Sequence, residues 1–147
     1  MTEAAKILEL IENVDPKDTD TLDEIDVQVW CWLNNYTLDV YDDVEYGYFK
    51  VKENPEEEYN IGEYEFLYES DKEKYHQKYY TRSRDALKSI RPEGWRVDIA
   101  QSSEHKDFRC ILVNDECRCQ GGKYLPTEEL AELHSIIQAI QWERENK

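Results

Sequence analysis

Ten of the eleven tyrosines fall between residues 36 and 80, interleaved there with 13 acidic and 5 basic side chains. Such a segment has no apolar stripe at helical spacing. Tyrosine and valine alternate with charge in residues 44–52, and Tyr64, Phe66 and Tyr68 repeat the alternation. That period of two belongs to strands with one wet face. The stretch therefore predicts two or three antiparallel strands, with Asn54-Pro55 as a turn between them.

The flanks read differently. Ala4, Ile7, Leu8 and Ile11 form one helical stripe, with Thr2 as N-cap and Pro16 beyond the end. A second helix is predicted from Thr21, which forms a capping box with Glu24, through Leu22, Ile25, Val29, Trp32 and Leu33 to a stop at Asn34-Asn35. Residues 83–90 predict a short helix ended by Pro92-Glu93-Gly94, and 95–100, 108–113 and 117–120 predict strands. Gly121-Gly122 is expected to break the sheet, and a last helix runs from Thr127 to about Trp142 with Leu130, Leu133, Ile137 and Ile140 on its covered face. The 147 residues then make one α+β domain, an antiparallel sheet with helices packed on it, and residues 42–75 elaborate that sheet. Helices on both faces would make it a three-layer α-β-α sandwich.

Charge narrows the function. Residues 1–80 carry 22 acidic and 7 basic side chains, residues 81–147 carry 12 and 11, and the whole chain has net charge −16. A field of that sign repels phosphate backbones and anionic lipid, so neither nucleic acid nor membrane is an expected direct partner. The first residues carry Glu3, Lys6 and Glu9 among apolar ones and lack a signal-peptide pattern, and no apolar run approaches the ~20 residues of a membrane helix. A soluble chain in the cytoplasm with reduced cysteines is the expectation.

Two stretches carry a resemblance. Tyr80-Thr81-x-Ser83-x-Asp85-Ala86 is followed by Ile90-x-Pro92-Glu93-Gly94-Trp95, and flanking it are Leu22-Asp23 leading to Trp32 and Pro126-Thr127 leading to Ala139. Together they resemble the α-β-α sandwich domains of small bacteriophage and prophage proteins, over roughly two thirds of the chain. The resemblance implies a three-layer α-β-α fold and a phage setting, and it brings no catalytic residues with it.

Three constellations compete for function. The acidic, tyrosine-rich surface would dock on a basic protein, with Asp42, Asp43, Glu45, Tyr46, Tyr48, Glu56, Glu57, Glu58, Tyr64 and Tyr68 as contact residues. There Tyr gives rigid contact area, while Asp and Glu steer and stand in for phosphate at a nucleic-acid-binding groove, for instance that of a host defence protein. The competing reading is solubility and aromatic packing. An alternative is a small-molecule or nucleotide binder using Arg82, Arg84 and Arg91 for phosphate and Trp95 for stacking. The third is zinc on Cys110, Cys117 and Cys119, which a hairpin turning about Asp115-Glu116 would set on one face, with His105 or His134 as fourth ligand. The spacing lacks paired Cys-x-x-Cys arms, so packing is the expected role of the cysteines and no cofactor is expected. His76, the acids from Asp15 to Asp26, and Gly121-Gly122-Lys123 match no metal, EF-hand or phosphate-loop pattern. The expectation is a binding module and not an enzyme.

Overall fold

A computed structural model describes residues 2–42, 47–61, 78–104, 106–116 and 118–146. They are α+β, with helices packed on antiparallel sheets, and the chain divides into two compact units, residues 17–79 and residues 1–16 with 80–147.

The unit of residues 17–79 opens on α2, Thr19–Leu33, which follows α1, Glu3–Asn13, of the other unit in the chain. Asp18 caps α2: its carboxylate accepts from the Thr21 amide at 3.2 Å and the Thr21 hydroxyl at 2.6 Å. These two bonds hold the Asp18 carboxyl below the usual carboxylate range. The N-cap is thus Asp18, three residues before the Thr21 of the expected capping box, because the Asp18 carboxylate bonds the Thr21 amide. The helix stops where expected. Asn34 returns its amide to the Trp30 carbonyl, and Asn35 turns left-handed at φ 60°, a conformation Asn tolerates.

Three strands follow, β1 (Leu38–Asp42), β2 (Tyr48–Val51) and β3 (Asn54–Asn60), in an antiparallel sheet of that order. The β2–β3 turn is Lys52-Glu53 and not Asn54-Pro55, since Val51 pairs with Asn54. The Glu53 carboxylate accepts from the Thr37 amide at 2.9 and 3.0 Å and ties the turn to the strand entry. Among the described residues Pro55 lies on an edge strand, where its missing N–H is tolerated. Residues 43–46, and Tyr64, Phe66 and Tyr68 with them, lie outside the described residues.

One face of this sheet meets α2. Phe49, Val51 and Tyr59 join Val27, Cys31 and Ile61 in a buried cluster, with Trp30, Leu38 and Tyr41 packed against it. Phe49 and Tyr59, directly paired across β2 and β3, stack at 4.8 Å, and Trp30 lies 5.3 Å from the Tyr59 ring and 5.7 Å from Phe49. Such aromatic contacts add to the area buried. Burial pushes the Cys31 thiol up to about 12, so it is a packing group and no nucleophile at neutral pH.

The second unit holds α1, α3 (Arg84–Ile90), the meander β4 (Trp95–Gln101), β5 (Phe108–Asn114) and β6 (Cys119–Leu125), and α4 (Glu128–Glu145). Thr2 caps α1 as its sequence predicts, and Ser83 and Thr127, the first residues of the two predicted helices, are the N-caps of α3 and α4. Helix α4 lies on β5 and β6, and α1 and α3 pack against α4, so the layers run sheet, α4, then α1 and α3. That position explains why residues 130–137 of α4 are buried all round. On the sheet's other face Arg96, Asp98 and Ala100 are exposed and Ile111 and Val113 half-buried.

Gly121 and Gly122 do not break this sheet but lie within β6. Both have positive φ, 106° and 104°. Gly121 lets α4 approach: its missing Cβ would meet the Ser135 hydroxyl and, at 2.5 Å, the Cys110 carbonyl oxygen. Ser135 fills that space and donates to the Cys110 carbonyl at 2.5 Å and to Ala131 at 3.0 Å.

Candidate functional site

The outward face of the first sheet follows from strand alternation. With Tyr41, Phe49 and Tyr59 turned toward α2, the residues between them point away. Val40 and Asp42 on β1, Tyr48 and Lys50 on β2, and Glu58 on β3 thus share one face, while the register shift after Phe49, five residues of β3 against two of β2, keeps alternation from carrying to Glu56. Asp42 stands directly opposite Tyr48, and Lys50 lies 3.4 Å from Glu58 and 5.8 Å from the centre of the Tyr48 ring. Glu56 and Glu58 are exposed, while Asp42, Tyr48 and Lys50 are half-buried. The face therefore carries the Asp42 and Glu58 carboxylates, one phenol, the exposed Val40, and one lysine held by Glu58.

Glu57 does not join that face. Its carboxylate accepts from the Tyr59 hydroxyl at 2.8 Å, and burial with this bond raises the Tyr59 phenol well above its ordinary value. Asp43, Glu45, Tyr46, Tyr64 and Tyr68 lie outside the described residues.

The arginines proposed for phosphate are engaged by carboxylates. Arg91 reaches Glu132 at 2.8 Å, and Arg84 reaches Glu132 at 3.3 Å and Glu128 at 3.0 Å. Glu132 is fully buried on α4, so the two guanidinium groups neutralise a charge that burial would otherwise make costly. Arg82 is half-buried just before α3. The Trp95 ring is buried too: its indole N–H donates to Glu143 at 2.8 Å, and it meets Trp142 edge-on at 5.9 Å. No sequence pattern had pointed to Glu132. A signal was there, since Glu128 and Glu132 stand one turn apart on α4, facing Arg84 and Arg91 at either end of α3.

The expected thiol face does not form. The β5–β6 register pairs Leu112 with Gln120 and Val113 with Cys119, one residue from the expected Leu112–Cys119 pair. The Asn114 side chain accepts from the Glu116 and Arg118 amides and sets a longer turn. A one-residue slip exchanges faces. Cys119 is therefore exposed on the outer face, while Cys110 is buried beneath α4 with its thiol pushed up to about 11, first by burial. Cys117, His76 and His105 lie outside the described residues, among which no group of three His, Cys, Asp or Glu side chains is placed to hold a metal.

His134 packs inside the second unit. Its Nε2 lies 3.8 Å from the Glu12 carboxylate on α1, which Lys123 of β6 approaches to 3.2 Å. Burial holds the imidazole below its ordinary value, with Glu12 pulling the other way. The native state thus binds less proton than the unfolded chain near pH 6. Stability from this group is complete above about pH 6.5 and is lost as pH falls through the native value. His134→Phe is expected to flatten that part of the urea-midpoint profile between pH 7.5 and 5, and an unchanged slope would assign it to other groups.

No helix among the described residues is long and apolar enough to cross a membrane. No family model, curated protein or solved structure matches the chain.

Proposed function

We propose that this chain is a small acidic binding module, without catalysis, that docks the outward face of β1–β3 on the basic, nucleic-acid-binding surface of another protein. The observation that carries the reading is the grouping of Asp42, Tyr48 and Glu58 on one sheet face whose reverse is anchored by Phe49 and Tyr59, with the exposed Glu56 nearby on the same strand as Glu58. A rigid sheet holds carboxylates in place at little entropic cost, and tyrosine adds contact area that loses few rotamers on binding. The resemblance of the sequence to phage α-β-α sandwich proteins supplies the setting: a phage or prophage accessory protein in the host cytoplasm, acting on a host defence protein. The small-molecule alternative draws no support from Arg84 and Arg91, whose charge Glu128 and Glu132 meet.

Matched affinity purifications from host lysate test the proposal, with wild type and D42K/E56K/E58K as baits. Asp42 and Glu58 lie on the sheet's outer face and Glu56 is exposed, and circular dichroism checks that the fold is kept. A basic protein is expected on the wild type at low salt, released near 0.5 M salt, where the Debye length falls to about 4 Å, and absent from the triple variant. Identical proteins on both baits, or none that salt releases, would refute the docking face.

A further inference from the structure

Strand β4 forms one edge of the second sheet. It pairs with β5 over all seven residues without a bulge, it contains no proline, and among the described residues no strand pairs with its other edge. An edge so regular is a template for another strand unless something blunts it. Arg96 and Asp98 are exposed on the outer face, while Trp95, Val97 and Ile99 point toward α4, with Val97 and Ile99 half-buried.

We propose that this edge pairs with a second copy of the chain, antiparallel and about a two-fold axis at Val97, joining two three-stranded sheets into one of six. The charges select both the partner and the register. With Val97 opposite Val97 of the second copy, Arg96 of each chain faces Asp98 of the other on the outer face, and Trp95 faces Ile99 on the inner one. An axis one residue away in either direction sets Arg96 against Arg96 or Asp98 against Asp98. An axis between residues would bring inner side chains against outer ones. Only the Val97 register matches opposite charges on this strand, and it does so twice by symmetry. The contact also lies in the balanced part of the sequence: residues 81–147 carry 12 acidic and 11 basic side chains, net −1, so −15 of the chain's −16 resides elsewhere.

Sedimentation equilibrium over a concentration series tests this with two exposed substitutions, R96D and D98R, each checked for fold by circular dichroism. Wild type is expected to dimerise. Each variant alone sets like charges opposite each other twice and is expected to weaken its own dimer at least about tenfold. An equimolar mixture pairs an all-acidic outer row with an all-basic one and is expected to restore the dimer as a heterodimer. A wild type monomeric up to about 1 mM, single variants that dimerise as wild type does, or a mixture that fails to restore association would each overturn the proposal.

Discussion

Gly121→Ala is expected to destabilise the unit of residues 1–16 and 80–147 by about 3–5 kcal/mol, the sum of backbone strain and overpacking. The backbone there has φ 106°, outside the regions an L side chain occupies without strain. The added methyl also has no space: it meets Ser135 and the Cys110 carbonyl at 2.5 Å, and the carbonyl belongs to the β5 backbone. Relief would require α4 to lift from the sheet, opening the hydrogen bond from Ser135 to that carbonyl. Gly122→Ala separates the two contributions. Its φ is nearly the same, 104°, but nothing lies within 4 Å of the new methyl, so only strain of about 1–3 kcal/mol is expected. Ser135→Gly in the Gly121→Ala background removes the side-chain clash and leaves the carbonyl, so partial recovery follows. Urea unfolding of the four proteins measures the order. If Gly121→Ala costs no more than Gly122→Ala, the close approach of α4 does not limit this strand.

That glycine marks where sequence reading stopped. Signals confined to a few residues were legible: Thr2 caps α1 as expected, α3 and α4 begin within one residue of Ser83 and Thr127, and Asn34-Asn35 ends α2. Errors arose where a distant group decides. Glu53 moves a hairpin turn by bonding Thr37, sixteen residues away, and Ser135 keeps Gly121-Gly122 inside a strand. The one-residue difference in β5–β6 pairing, set by the Asn114 side chain, moved Cys119 to the opposite face and dissolved the supposed thiol cluster. The acidic face was partly legible for the same reason. Period two separates Glu58 from Glu57, but that Phe49 and Tyr59 take the inner side depends on their packing with Trp30. Compositional richness in tyrosine could not divide the rings between interior and surface, because both environments favour the same residue.

Removing both guanidinium groups from Glu132, as Arg84→Ala with Arg91→Ala, is expected to cost about 3–5 kcal/mol, the range for a buried charge left without its partners. The carboxylate is fully enclosed on α4, and water cannot replace the bonds at 2.8 and 3.3 Å without opening the α3–α4 packing. Arg84 retains more exposure than Arg91, 41% against 25% for the side chains, and also serves Glu128, so Arg91→Ala alone is expected to be the more damaging single change. The converse variant distinguishes charge from shape. Replacing all three partners with apolar groups of similar volume, Arg84→Met, Arg91→Met and Glu132→Leu, removes the desolvation cost together with the attraction and is expected to be neutral or stabilising by up to about 4 kcal/mol. Denaturant unfolding of the two sets reads the difference directly. If the apolar triple variant is as unstable as the one that strips the arginines, the cluster serves packing geometry rather than charge neutralisation. If instead both are near wild type, the groups remain hydrated enough to be available to a phosphate, which would return the small-molecule reading to the arginines.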